Sequence, residues 1–146
     1  MSLFQKSVQV EIRPESFSPW QELQAWGGDA AASASFVGRV RASAQTGSQL
    51  ESLEIEHYPG LCERRLESLA GQLLQKHEAL RALVLHRVGC LVPGEVIVLV
   101  AVQADRRGPA QRCNADLLEA LKHQAPFWKR EWSGDQGTWL AGNTPL

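Results

Sequence analysis

The sequence lacks the features that mark secreted, membrane-spanning and metal-binding proteins. Its cysteines are few, odd in number and set in apolar surroundings, so we expect reduced core thiols in a cytoplasmic protein at Cys62, Cys90 and Cys113. The N-terminus has no apolar stretch of signal-peptide length, and the longest apolar run, Val96 to Val102, is too short to span a bilayer. The four histidines do not fall at zinc-ligand spacings. We therefore expect no metal and no other bound cofactor.

The sequence also has no excess of charge of either sign. It contains 15 basic and 16 acidic side chains and has a net charge of −1, which gives no overall field to attract nucleic acid or an acidic membrane. A Walker-type phosphate loop, a dinucleotide-binding glycine pattern and a nucleophile elbow are all absent. Any anion that this protein binds must therefore be held by a local cluster of cations.

The apolar residues are sufficient for one folded core. With 146 residues, 44% of them hydrophobic, the chain has the size of a single domain. We assign that domain to residues 1–146, with residues 1–6 and 141–146 as loose termini. The hydrophobic periodicities predict a strand, a helix, two strands, a helix, two or three strands, a helix and a terminal hairpin. This order is typical of an α+β domain with a mostly antiparallel sheet and flanking helices.

The first candidate site is the segment in which the last predicted helix ends. Its pattern runs from Pro109 and should stop at Ala125, because a residue that precedes proline is disfavoured in the α conformation. Lys122 then lies in the last helical turn, and Lys129 lies in the extended segment that follows. Two lysines from different elements could form an anion site. Alternatively, Lys122 complements the helix dipole, and the aromatic residues before Lys129 are ordinary core residues.

Four arginines in two other places add to the candidate cations. Arg39 and Arg41 alternate along the strand predicted for 32–41, so both guanidinium groups should lie on the same side. Arg106 and Arg107 follow the apolar strand and precede a helix, where backbone N–H groups and arginines can hold a phosphate. A solvated outer face explains Arg39 and Arg41 equally well. Spacing alone does not show that the cations meet.

Five sequence motifs stand in the order and spacing of one known family. They are Phe36-Val37-Gly38-Arg39-Val40-Arg41, Glu56-His57-Tyr58-Pro59-Gly60, His86-Arg87-Val88-Gly89, Pro93-Gly94-Glu95 and Leu121-Lys122 through Ala125-Pro126-Phe127-Trp128-Lys129-Arg130-Glu131. The similarity extends from about Val8 to Trp139. On these motifs the chain resembles the large, catalytic subunit of molybdopterin synthase. The resemblance implies an α/β-hammerhead type of α+β fold.

The same resemblance implies a sulfurtransferase of molybdenum cofactor biosynthesis. Members of that family convert cyclic pyranopterin monophosphate to molybdopterin by inserting two sulfurs as a dithiolene. Each sulfur arrives as a thiocarboxylate on the C-terminal glycine of a small ubiquitin-like carrier. The expected assembly is a homodimer of this chain with a carrier at each outer end, which makes a heterotetramer. The alternative is a non-catalytic paralogue that docks such a carrier or a phosphate-bearing ligand.

The resemblance also implies roles for individual residues. Lys122 and Lys129 match the catalytic pair; we assign Lys122 to the thiocarboxylate and Lys129 to proton transfer or phosphate-oxygen stabilisation. Each ammonium should also lower the pKa of the other. The implied substrate-binding residues are Arg39, Val40, Arg41, Arg106, Arg107, Lys122, Lys129, Arg130 and Glu131, with Phe36 and Phe127 as candidate pocket walls. Arg106 stands where the family usually has histidine, which should preserve phosphate binding but removes a titratable group.

Overall fold

The alternating and helical patterns of the sequence form eight strands and three helices in the computed structural model, which describes residues 7–140. In chain order these are β1 (Val8–Arg13), α1 (Pro19–Trp26), β2 (Ala32–Arg39), β3 (Ser52–His57), α2 (Leu61–His77), β4 (Arg81–Arg87), β5 (Gly89–Leu91), β6 (Val96–Ala104), α3 (Arg107–Gln124), β7 (Phe127–Ser133) and β8 (Gln136–Trp139). The order of elements confirms the predicted α+β class. The termini predicted to be loose, 1–6 and 141–146, lie outside the described residues.

The first sheet has the strand order β1-β4-β6-β2 and carries helices on both faces. β1 runs parallel to β4, and the other two pairs are antiparallel. β6 is an interior strand, as expected from a segment that is apolar on both sides. Its Val98 and Val100 pack with residues of α2 and α3, whereas Leu99 and Ala101 pack toward α1. Both faces of this sheet are therefore buried.

The second sheet has the order β5-β3-β7-β8 and is entirely antiparallel. The sequence predicted one sheet, because alternation identifies strands but does not identify their partners. The chain passes between the sheets where the register shifts from Gly38 to Arg39, and again where β4 is followed directly by β5. The short edge strand β5 is the third of the two or three strands predicted between the second and third helices.

The corner between α3 and β7 forms where the sequence predicted it. α3 ends at Gln124, and Ala125 is extended, with φ −80° and ψ 137°. The helix begins two residues before Pro109, and a proline is tolerated there because the first turn needs no N–H partner. β7 then pairs with β3, placing Lys129 opposite Ile55. The corner therefore presents Lys122 from a helix and Lys129 from a strand.

The cysteines divide into two buried thiols and one exposed thiol. Cys62 of α2 and Cys113 of α3 are fully buried in the core. Burial raises the pKa of Cys62 to about 12 and that of Cys113 to about 11. The prediction was wrong for Cys90, which is exposed. Cys90 lies on β5, an edge strand whose first two residues face solvent.

Candidate active site

A cavity of about 190 Å³ lies where the two sheets meet the end of α3. Its walls come from the end of β2 and the loop after it, from strands β3, β4, β6 and β7, and from the last turns of α3. Six of the residues assigned to the site from the sequence line it, namely Arg39, Val40, Arg41, Lys122, Lys129 and Glu131. The structure therefore brings together side chains from three separate sequence segments.

Local backbone structure explains how these side chains reach the cavity. The register shift at Gly38 and Arg39 lets the chain leave the first sheet. Two hydrogen bonds then hold Val40 against the turn before β6: the Val40 N–H donates to the Glu95 carbonyl at 2.9 Å, and the Gly94 N–H donates to the Val40 carbonyl at 2.9 Å. Along β7, side chains alternate between faces. Lys129 and Glu131 pair with buried residues of β3 and thus share the inner face.

The cavity lining has an excess of positive charge. Arg39, Arg41, Lys122 and Lys129 form no ion pair with any group of residues 7–140. The single carboxylate of the lining, Glu131, accepts a hydrogen bond from the backbone N–H of Gln45 at 3.0 Å. Four cations around a concave surface suit an anion with several oxygens, because guanidinium groups can bind oxygen pairs and ammonium groups act as point charges.

Lys129 is chemically distinct from an exposed lysine. Burial lowers the pKa of its ammonium group, and the positive charge of Lys122 lowers it further. The lowering of a lysine pKa that was expected from the two neighbouring ammonium groups is therefore found at Lys129, although burial contributes more to it than the charge of Lys122. A lysine with a lowered pKa can exchange a proton closer to neutral pH. This property suits Lys129 to act as an acid or base.

Arg106 and Arg107 lie away from this cavity in the same chain. Arg107 lines a second cavity, of about 630 Å³, which is formed between β2 and the start of α3 and also includes Phe36. Arg106 is the exposed residue that precedes α3 and lines neither cavity. The corner predicted to hold a phosphate therefore does not join the lysine cavity within one chain. The substrate-binding roles of these residues stay predictions.

Arg130 and Phe127 also lie outside the cavity lining, for different reasons. Arg130 occupies the outer face of β7, where its Nε and Nη2 donate to Oε1 of Glu54 at 3.0 and 2.7 Å. Its guanidinium group also contacts the Trp132 and Trp139 rings, at 4.6 and 4.5 Å from their centroids. Phe127 packs against the ring of His86. Their assigned roles in the site remain untested predictions.

His86 lines the cavity, and the sequence analysis gave it no role there. It is a buried residue at the end of a continuous apolar strand, with 2% of its surface exposed. Two signals were available in the sequence: a histidine in an otherwise apolar run, and the place of His86 in one of the five family motifs. Among residues 7–140, no group of three or more His, Cys, Asp and Glu side chains could hold a metal ion. In the same range, no helix is long and apolar enough to cross a membrane.

The fold and the cavity together define an α+β protein with a cationic, lysine-containing site. Residues 12–124 match the family model described as MoaE protein, and the chain belongs to that family. This membership confirms the function that the sequence motifs implied, that of a molybdopterin synthase catalytic subunit, a sulfurtransferase of molybdenum cofactor biosynthesis.

Two curated relatives show the extent of the similarity. A molybdopterin synthase catalytic subunit from Ralstonia nicotianae is 41% identical over 107 residues, which cover 73% of this chain and 60% of the relative. One from Cereibacter sphaeroides is 37% identical over 137 residues, or 92% of each chain. The second match extends over nearly the whole of both proteins.

Solved structures share the fold. The molybdopterin biosynthesis MoaE protein from Burkholderia ambifaria superposes with a TM-score of 0.77 at 33% identity, covering 94% of this chain and 91% of that chain. A Helicobacter pylori protein, solved as a complex of subunits 1 and 2 of molybdopterin-converting factor, has a TM-score of 0.73 at 19% identity, with 90% of each chain covered. At that identity the match supports the fold alone.

Proposed function

We propose that this chain transfers sulfur from the C-terminal thiocarboxylate of a small ubiquitin-like carrier to cyclic pyranopterin monophosphate, forming the dithiolene of molybdopterin. The observation that carries this proposal is the cavity in which Lys122 and Lys129 lie together with no ion-pair partner in residues 7–140. An unpaired cation in a cavity is costly unless a ligand complements it. Both substrates, a thiocarboxylate and a cyclic phosphate, are anions.

The two lysines have separate roles in this proposal. Once the sulfur is bonded to the pterin, Lys122, in the last turn of α3, stabilises the oxyanion that forms when water adds to the carrier's thioester carbonyl. Collapse of that oxyanion breaks the carbon–sulfur bond, leaving the sulfur on the pterin and a carboxylate on the carrier. Lys129, whose pKa is lowered by burial and by Lys122, transfers the proton or stabilises a phosphate oxygen. The division follows from their surroundings, because a lysine with a lowered pKa is the better proton carrier.

The arginines at the end of β2 bind the phosphate. Arg39 and Arg41 are exposed at the rim of the cavity, and neither forms an ion pair in the described part of the chain. Their guanidinium groups can donate two parallel hydrogen bonds to oxygens of one phosphate. Glu131 faces the same space and can accept hydrogen bonds from the pterin.

The carrier and a second copy of this chain complete the proposed assembly. The carrier supplies an extended C-terminal tail that must enter the cavity to bring its sulfur to Lys122. Homodimer formation is supported by β2, which pairs only with β6 in residues 7–140 and presents the small side chains of 32–35 along an open edge. Such an edge can pair with another strand. A non-catalytic paralogue would bind the carrier in the same way but would not convert the pterin substrate.

The experiment that tests the proposal is conversion of cyclic pyranopterin monophosphate by the purified protein with thiocarboxylated carrier. We expect product from the wild type and near-complete loss in Lys122→Ala. The matched control is Lys76→Ala, since Lys76 occupies the last turn of α2 as Lys122 does that of α3 but is exposed and outside the cavity. Carrier binding without product in the wild type would make this chain a docking protein.

A further inference from the structure

His86 connects the lysine strand to the first sheet. It is the second-last residue of β4, lines the lysine cavity and is 2% exposed. Its ring stacks on Phe127, with centroids 4.0 Å apart and an angle of 18° between the planes. Phe127 lies two residues before Lys129 and therefore on the same face of β7. The stacked pair thus helps to fix Lys129 relative to the cavity.

The hydrogen bonding of His86 defines which ring nitrogen carries the proton. Nδ1 lies 2.7 Å from the backbone carbonyl oxygen of Arg87, and a carbonyl can only accept, so Nδ1 carries the hydrogen. Burial lowers the pKa of His86 to about 3, with the charge of Lys129 as the next cause. The ring is therefore neutral near pH 7, and Nε2 has a free lone pair.

Arg87 holds the carbonyl that fixes this tautomer. Arg87 is buried, with 5% of its surface exposed. Its guanidinium group donates from Nη1 to Oε2 of Glu95 at 2.9 Å and from Nη2 to the Pro14 carbonyl at 3.1 Å. The backbone of Arg87 is also paired in the sheet beside Arg13. His86 therefore cannot rotate its ring without breaking a bond to a rigid backbone group.

The lining of the cavity contains a donor that matches this acceptor. The side-chain ammonium of Lys129 has no hydrogen-bond or ion-pair partner in residues 7–140, and Nε2 of His86 has no protein donor there. The other cations of the lining, Arg39, Arg41 and Lys122, cannot accept a hydrogen bond. Glu131 can accept, but its Oε1 binds the backbone N–H of Gln45 and its carboxylate forms no ion pair with Lys129 in the described residues.

We propose that His86 is a positioning residue for Lys129: the flexible Lys129 side chain turns its ammonium group toward the free Nε2 lone pair in the shared cavity and donates a hydrogen bond to it, which holds that group toward the bound substrates. The importance of this contact for catalysis depends on the proposed sulfur transfer, whereas the contact itself does not. His86 stays neutral throughout and exchanges no proton. It orients the lysine that does.

The test is an NMR titration of the lysine side chains, which needs no turnover. The chain has four lysines, so labelled side-chain signals can be resolved and Lys129 assigned with Lys129→Arg. In His86→Asn, the amide keeps a donor for the Arg87 carbonyl but lacks an acceptor at the Nε2 position. We expect the pKa of Lys129 to fall by about one unit, because a lost acceptor destabilises the ammonium form.

Two further variants separate positioning from packing. His86→Gln places an amide oxygen near the Nε2 position and should return the Lys129 pKa toward its wild-type value. His57→Gln is the matched control, because His57 also stacks on Phe127, at 6.4 Å between centroids, but does not line the cavity. It should leave the Lys129 titration unchanged. An unchanged Lys129 pKa in His86→Asn, or equal effects of Asn and Gln at position 86, would overturn the proposal.

A second measurement keeps the imidazole in place, in case His86 variants do not fold. With labelled histidine, the wild-type spectrum should show Nδ1 protonated and Nε2 unprotonated, and Lys129→Met should move the Nε2 resonance. A protonated Nε2, or an Nε2 signal that does not respond to Lys129→Met, would refute the assignment. Absence of sulfur transfer would leave both NMR results unaffected, so the two proposals fail separately.

Discussion

The ion pair between Arg87 and Glu95 offers the sharpest test of what holds the cavity together. Glu95→Ala removes the carboxylate that binds Nη1 of Arg87 at 2.9 Å, and Arg87 is left with a buried charge. Breaking a buried pair by removing one partner typically costs about 3–5 kcal/mol of unfolding free energy. Here the Glu95 side chain is 34% exposed and Arg87 keeps the Pro14 carbonyl, so we expect about 2–3 kcal/mol.

Urea unfolding followed by circular dichroism measures this cost. Glu95→Gln should fall between wild type and Glu95→Ala, because the amide oxygen can still accept from Arg87 but carries no charge. The control is Lys76→Ala, whose pair with Asp116 is long, at 3.8 Å, and exposed; we expect less than about 0.5 kcal/mol. If Glu95→Ala cost no more than Lys76→Ala, the pair would not stabilise this region, and Arg87 would not be a rigid anchor for His86.

Two other predictions concern the cavity cations. Lys129→Met should raise the free energy of unfolding at pH 7, because burial lowers the pKa of Lys129 and the folded protein thus disfavours its ammonium form. In unfolding measurements as a function of pH, this gain should be complete below the pKa of Lys129 in the folded protein. It should disappear as the pH rises through the ordinary lysine pKa, where the unfolded chain also loses the proton. A gain that persisted at high pH would indicate better packing instead. Arg41→Ala should raise the KM for the pterin phosphate by about 10-fold or more, whereas Arg130→Ala should change KM little and lower the Tm, since Arg130 pairs with Glu54 on the outer face. Equal KM effects would contradict this difference.

The features predicted correctly from the sequence depend on short-range rules. Pro126 ended α3 at the expected residue, because its ring disfavours the α conformation of the residue directly before it. The apolar segment from Val96 formed an interior strand because both of its faces needed cover. Lys122 and Lys129 line one cavity because the corner between them is tight, although the catalytic roles proposed for them come from the family motifs and not from the spacing.

The features that the sequence did not predict depend on long-range pairing. The division of the strands into two sheets follows from which strand pairs with β3, and alternation contains no such information. Cys90 was expected in the core, but β5 proved to be an edge strand. Strand alternation places the side chains of Lys129 and Arg130 on opposite faces of β7, whereas the family resemblance assigned both residues to substrate binding. The place of His86 in the cavity became apparent only from its contacts with β7, where its ring stacks on Phe127.

The buried cysteines have a consequence for the chemistry of sulfur in this protein. Because the pKa values of Cys62 and Cys113 lie far above neutrality, both residues are protonated thiols near pH 7 and are poor nucleophiles. They therefore cannot compete with an incoming thiocarboxylate for an electrophilic carbon, nor accept its sulfur as a persulfide. In the proposed sulfur transfer, neither core thiol therefore takes part, and the carrier remains the source of the sulfur.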